Sequence, residues 1–272
     1  MTQKTTLFII DPQYDFCDSN GSLYVKGAEN DISRLSKMIK TNVTQIDDIH
    51  VTLDSHHLVH IGHPIFWVNS QGQHPDIAEF YKGNPTIITA DDVRKGKWRA
   101  YNPGYQKVAL EYVESLEKNG RYILIVWPPH CLIGSLGATI MPELCEALLD
   151  WEKQFAVVNK ITKGSNMFTE HYSAVKADVE DPEDPTTMLN TKLIKALKSG
   201  NRIGVGGEAL SHCVANTIRD VAAEFGVGNL KNIYLLTDAC SNVTGFEKFG
   251  EDFINDMVAA GMQLSTTDKF FN

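Results

Sequence analysis

Short apolar runs alternate with helical repeats along most of the chain, and that alternation restricts the fold more than any other feature. Thr6–Ile10 is an apolar run ending at Asp11-Pro12, and roughly Glu29 to Ile46 has helical spacing, with Ile32, Leu35, Ile39 and Val43 on one face. His50–Leu53 then stops at Asp54. Helical spacing over Tyr105–Glu117 leads to Tyr122–Val126, and Glu143–Trp151 leads to Phe155–Val158. Leu193–Leu197, terminated by Gly200, leads to Ile203–Gly207. A helix from about Cys213 to Phe225 leads to Ile233–Leu236, and Phe253–Ala259 leads to Met262–Leu264. Strands that are apolar along their length and separated by helices belong to a parallel sheet covered on both faces. The expected fold is a doubly wound, mainly parallel α/β domain in three layers.

The 272 residues leave length to spare for one such domain. The surplus collects in two stretches without apolar periodicity, Ser70–Pro103 and Gly164–Asn190, the second carrying the acidic run Glu180–Asp184. Both read as long loops or lids on a single domain over 1–272. With 25 Lys+Arg against 34 Asp+Glu the formal charge is −9, and no basic cluster offsets it. That balance argues against nucleic acid and anionic membrane as partners. No apolar run approaches the ~20 residues that span a bilayer, and the run before Asp11 is too short for a signal peptide core. Five thinly spread cysteines suit a reducing compartment, so a cytoplasmic protein without disulfides is expected.

Ligands of open α/β sheets bind beyond the carboxyl ends of the strands, and the residues falling there carry chemistry. The first strand delivers Asp11, the second Asp54 and His56, the third Trp127 and His130. The fourth delivers Lys160 or Lys163, and the fifth runs into Gly207-Glu-Ala-Leu-Ser-His-Cys213. Asp54 and His56 share one side of an extended strand, and a carboxylate and an imidazole so placed suit Zn²⁺, Mn²⁺ or Fe²⁺. His130, after the rigid Pro128-Pro129 turn, is a candidate third ligand, and His60, four residues after His56, a candidate fourth. His57 and His63 read as loop residues. Three protein ligands leave positions open for substrate or water, as in a working site. Cys213 lies at a strand-to-helix turn, where the helix N-terminus lowers a thiol pKa. Adjacent His212 points elsewhere on a helix. Asp11 and Lys163 are better partners: a cation favours the thiolate and a carboxylate relays its proton. Cys131, beside His130, is the competing nucleophile.

Taken in order, Asp11-Pro-Gln-Tyr-Asp-Phe16, Gly27-Ala28, Asp54-Ser-His56, Trp127-Pro-Pro-His-Cys131, Lys163-Gly164 and Ala209-Leu-Ser-His-Cys-Val214 resemble the isochorismatase-like cysteine hydrolases, and among them most of all the nicotinamidases. The resemblance runs from Asp11 to about Thr267. It implies an isochorismatase-like, Rossmann-like domain and a catalytic triad of Asp11, Lys163 and Cys213. Lys163 is preferred over Lys160 because it precedes Gly and is followed nine residues later by Tyr172-Ser-Ala174. It further implies a divalent metal, Zn²⁺ first, on Asp54, His56 and His130, and Phe16 and Trp127 enclosing a pyridine ring. A cis peptide at Glu208–Ala209 and an oxyanion hole from the amides of Ala209 and Cys213 complete the set. The sequence departs from the family at Leu210-Ser211-His212, at Glu208, and in the length of the 70–103 stretch.

The resemblance implies an amidohydrolase that converts nicotinamide to nicotinate and ammonia through a thioester, as in NAD salvage, and that assembles as a homo-oligomer with a small-molecule amide as its partner. Two alternatives stand beside it: a related hydrolase of another amide, an N-carbamoyl or a ureido compound, and an inactive member used for binding.

Overall fold

A computed structural model describes residues 4–226 and 230–272. Met1–Gln3, the start of the stretch read above for a signal peptide, lie outside the described residues. The chain begins with β1 (Thr5–Ile10), α1 (Tyr14–Cys17), α2 (Ala28–Thr41) and β2 (Asp48–Asp54). Then come β3 (Trp67–Asn69), α3 (Ile77–Phe80), β4 (Thr86–Ile88), α4 (Ala90–Arg94) and β5 (Trp98–Ala100). α5 (Gln106–Asn119), β6 (Leu124–Val126), α6 (Pro142–Glu152), β7 (Asn159–Lys163) and α7 (Thr191–Lys198) follow. The last part holds β8 (Arg202–Gly207), α8 (Ala215–Phe225), β9 (Ile233–Leu236), α9 (Glu247–Ala259) and β10 (Gln263–Ser265).

Six strands form one sheet in the order β10-β9-β8-β1-β2-β7, and every pairing in it is parallel. This is a parallel α/β architecture. All six residues of β1 are buried, which explains why its sequence is apolar on both faces. From β1 the chain winds outward to β2 and β7 on one side and returns through β8 to β9 and β10 on the other. The winding therefore reverses between β1 and β8, where Ile10 is in register with Gly207. A crevice opens at such a reversal beyond the strand ends, and Asp11 and Cys213 lie in the segments that leave it.

Three expectations are corrected. Phe155–Val158 is not the fourth strand; Phe155 turns with φ of 63° and is fully exposed, as is most of Val157. β7 follows it as an edge strand, whose solvent-facing residues Asn159 and Lys160 are polar and hide it from an apolar pattern. β6, expected inside the parallel sheet, instead pairs antiparallel with β4 in a separate ribbon. The 70–103 stretch is not bare loop: it carries α3, β4, α4 and β5. Ile88, Ala90, Val93 and Ala100 bury themselves with Tyr112, Val113 and Leu116 of α5 in a second small core. Residues 164–190 do lack helix and strand apart from one 3₁₀ turn, yet much of the segment, including Thr169–Val175, is buried.

Candidate active site

Asp11 leaves β1 with φ of 44°. Its N–H donates to Thr52 Oγ1 (3.0 Å), and that hydroxyl donates to Asp11 Oδ1 at 2.5 Å. Lys163, the last residue of β7, is buried with Nζ 3.0 Å from Asp11 Oδ2 and 3.2 Å from Asp54 Oδ1. Nζ also donates to the His171 carbonyl (2.9 Å) and approaches Cys213 Sγ at 3.6 Å. Three residues far apart in sequence are thereby fixed around one ammonium group. Gln13, quoted above only as part of a motif, holds the edge of the site. Its side-chain amide donates to the Asp54 carbonyl and accepts from the Asp54 N–H, each at 2.7 Å.

Cys213 sits in a single π-helical turn, Leu210–Val214, between β8 and α8; such turns gather at functional sites. The preceding Glu208–Ala209 peptide is cis, as the resemblance implies. Burial pushes the Cys213 thiol well above its usual pKa, against the pull of Lys163. Burial also raises Asp11, against the opposing effect of Lys163. Lys163 itself is held well above the usual lysine range, because Asp11, Asp54 and Cys213 outweigh its desolvation. Cys131 is fully buried and absent from the cavity lining described below, so it does not compete.

Across Asp54 lies a histidine cluster. Asp54 Oδ2 is 3.0 Å from His56 Nε2 and 3.4 Å from His130 Nε2. His56 Nδ1 faces the Gly164 carbonyl at 2.9 Å and His130 Nδ1 the Pro128 carbonyl at 2.8 Å. A carbonyl only accepts, so each Nδ1 carries the proton and each Nε2 lone pair points inward, the arrangement a metal-ligating imidazole needs. The nearest polar neighbour of His56 Nε2 is Asp54 Oδ2. Gly164 permits this crowding: at its φ of +84° a Cβ would come within 2.7 Å of both Asp54 Oδ1 and His56 Cε1. Burial works against the Asp54 carboxylate, yet His56 and Lys163 hold it well below the usual range. Burial likewise opposes charge on His56, but Asp54 raises its pKa overall. His56 Nε2 and Asp54 Oδ2, 3.0 Å apart, can share a proton on His56 or be bridged by a bound cation. The donor set of one carboxylate and two imidazoles fits a divalent transition metal.

Of the two remaining histidines, His60 falls in a second group with metal-ligand spacing and His63, among the described residues, in none. His60 accepts from the Gly62 N–H at Nδ1 (3.1 Å), so Nε2 carries the proton toward the Thr169 carbonyl (3.2 Å). Both ring nitrogens thus face backbone groups, although His60 lies with His56 and Glu170 at metal-ligand spacing. His63, expected in a loop, is fully buried, with ring centroids 5.2 Å from His56 and 5.4 Å from His130. Its Nδ1 faces the Leu58 carbonyl (3.2 Å) and its Nε2 is unpartnered. Burial, then His130 and His56, lower its pKa to about 2. His57 is exposed, as expected. The sequence reading also missed Glu170, buried with Oε1 3.8 Å from His56 Nε2. A carboxylate in a polar loop gives no periodic signal.

Cys213, Ala209, Asp54, His130, Glu170, Phe16, Trp127 and Tyr172 line one small cavity. Phe16 lies 5.3 Å from the His130 ring, and Trp127 Nε1–H donates to Tyr172 Oη at 2.6 Å, which fixes the indole. His212 also borders it; burial lowers its pKa to about 4, so the ring is neutral.

The architecture has solved counterparts. The yeast nicotinamidase superposes with a TM-score of 0.64 at 18% identity, covering 96% of this chain and 98% of its own. PnC1 from L. infantum, solved in complex with nicotinate, gives 0.59 at 21% identity over 98% and 95% of the two chains. The pyrazinamidase of Pyrococcus horikoshii, solved in complex with zinc, gives 0.57 at 19% identity over 97% and 99%. The fold is that of the nicotinamidases. No protein-family profile matches the chain, and no curated protein matches it. The nicotinamidase fold thus persists here at an identity where only arrangement is shared. No helix among the described residues is long and apolar enough to cross a membrane.

Proposed function

We propose that the protein is a metal-dependent cysteine amidohydrolase acting on a small aromatic carboxamide, with nicotinamide the first candidate. One observation carries this reading: the Cys213 thiol, with Asp11 and Lys163 around it, opens on the same small cavity as the Asp54–His130 group. Phe16 and Trp127 bound that cavity with flat apolar surface suited to an aromatic ring. Nicotinate and zinc bound to proteins of the same fold support it.

Asp11 accepts the thiol proton as Sγ attacks the amide carbon. Lys163 keeps Asp11 and the developing thiolate in one electrostatic field, which offsets the penalty burial places on the charged sulfur. The amides of Ala209 and Cys213 receive the tetrahedral oxyanion, and losing one such donor costs ~10²–10³ in rate. Asp11 returns the proton to nitrogen, the C–N bond breaks, and ammonia leaves a thioester on Cys213. Water then adds to the thioester, Asp11 again holding the proton, and the acid is released with the thiol restored. A divalent ion on Asp54, His56 and His130 would supply Lewis-acid anchoring for a ring nitrogen and acidify water.

The test is ammonia release from nicotinamide, pyrazinamide, N-carbamoyl and ureido compounds, with and without chelator. Turnover of the pyridine and pyrazine amides that chelator abolishes is expected. Chelator-insensitive turnover confined to carbamoyl or ureido substrates would replace the reading with the related hydrolase.

A further inference from the structure

Glu170 has no part in the chemistry above, and its surroundings are hard to explain without one. It is 3% exposed and lines the reaction cavity. Oε1 accepts from the His171 N–H at 3.3 Å, while Oε2 has no hydrogen-bond partner. Space for Oε2 exists because residue 62 is glycine: a Cβ there would lie 2.2 Å from it. An unpaired buried carboxylate oxygen is destabilising, and here the backbone is shaped to admit it.

Two groups of donor atoms lie within 4.8 Å of one another: Asp54, His56 and His130, and His56, His60 and Glu170. Both need the same atom, since His56 Nδ1 is committed to the Gly164 carbonyl. One lone pair serves one ion. His60 already has backbone partners at both nitrogens, so the new donor of the second group is Glu170. Its Oε1 stands 3.8 Å from His56 Nε2, and its Oε2 has no hydrogen bond to lose if the carboxylate turns.

We propose that Glu170 is a further, movable ligand of the cation held by Asp54, His56 and His130, an inference that rests on the metal reading given above. The donor set becomes two carboxylates and two imidazoles. Added carboxylate oxygen narrows the preference for Zn²⁺ over Mn²⁺, and a ligand that can swing away clears a position for an incoming substrate atom.

The test uses the full chain stripped by chelator and titrated with Zn²⁺ and with Mn²⁺ by calorimetry, with bound metal counted by elemental analysis. Glu170→Gln is expected to weaken Mn²⁺ binding at least about 10-fold, and Zn²⁺ less. The metal-free variant should melt at or above the metal-free wild type, since an unpaired carboxylate has gone. Mn²⁺ affinity within about twofold of wild type overturns the proposal, and so does a metal-free variant that is destabilised with affinity unchanged, the mark of a purely structural residue. If Glu170→Gln does not fold, Glu170→Asp decides, because its shorter side chain should still weaken Mn²⁺; unchanged affinity there also overturns it. Asp54→Asn separates the two readings. It should abolish binding of both metals, and a wild type that binds neither, or an Asp54→Asn chain that binds both normally, removes the metal reading itself.

Discussion

Lys163 Nζ lies 3.2 Å from Oδ1 of Asp54, whose other oxygen faces His56 and His130. One carboxylate therefore joins the nucleophile's network to the histidine cluster, and Lys163 is shared between Asp54 and Asp11. Lys163→Met would leave both carboxylates buried without their cation. Removing one partner of a buried pair costs ~3–5 kcal/mol. Urea unfolding should show a loss of that order, and turnover should fall by roughly 10⁴ or more, as for other members of a catalytic unit. Wild-type stability in this variant would show that the two carboxylates do not depend on it.

Cys213 should behave as a buried thiol. Burial raises its pKa well above the usual value despite Lys163, so alkylation by iodoacetamide should be slow at neutral pH and rise only above the ordinary thiol range of ~8.5. Lys163→Met should push that rise further up, since the cation is what pulls the pKa down. Cys213→Ala should lose turnover by roughly 10⁴–10⁶ with metal content intact. Rapid labelling at pH 6 would contradict the burial argument, and an active Cys213→Ala chain would remove the nucleophile.

What the sequence displayed follows from what burial writes into it. β1 is enclosed on both faces, so its apolar run is unmistakable and its end at Asp11 is easily placed. The Asp54–His56 spacing and the Pro128-Pro129 turn are local features, and the structure brings their side chains together. β7 was misplaced by several residues because an edge strand tolerates polar residues. The settings of His60 and His63 were hidden for a different reason. Which ring nitrogen meets the backbone depends on carbonyls contributed by Thr169 and Leu58, and no local spacing records those. Glu170 was invisible because its position depends on Gly62, more than a hundred residues away.

Trp127 forms one wall of the cavity, and its indole N–H is held by Tyr172 Oη at 2.6 Å. Tyr172→Phe keeps the ring and removes the acceptor. A buried donor left unsatisfied costs ~1–3 kcal/mol, part of which the indole can avoid by tilting. The expected result is a higher KM for an aromatic amide with kcat changed little, because the wall moves and the nucleophile does not. Steady-state kinetics on nicotinamide and pyrazinamide decide it; a fall in kcat at constant KM would place Tyr172 in the chemistry instead.

Glu208 and Asp31 are both buried, and both lean on Ser241: its N–H donates to Glu208 Oε2 at 3.2 Å and its hydroxyl to Asp31 Oδ2 at 2.5 Å. Burial, reinforced by the neighbouring Asp31, raises the Glu208 pKa well above the usual carboxyl value. The folded chain therefore keeps a proton that the unfolded chain loses at its ordinary pKa of ~4.3. The associated stability is complete below that value and is lost as pH rises toward the folded pKa, at up to ~1.4 kcal/mol per pH unit. Glu208→Gln carries no titrating proton and preserves the shape, so its stability should vary less with pH over this range. Its advantage over wild type should grow as the solution becomes more alkaline. Urea unfolding of both chains at several values from pH 5 upward measures the two slopes. Equal slopes would mean that Glu208 is already ionised in the folded protein, with Asp31 or a rearranged Ser241 absorbing the charge.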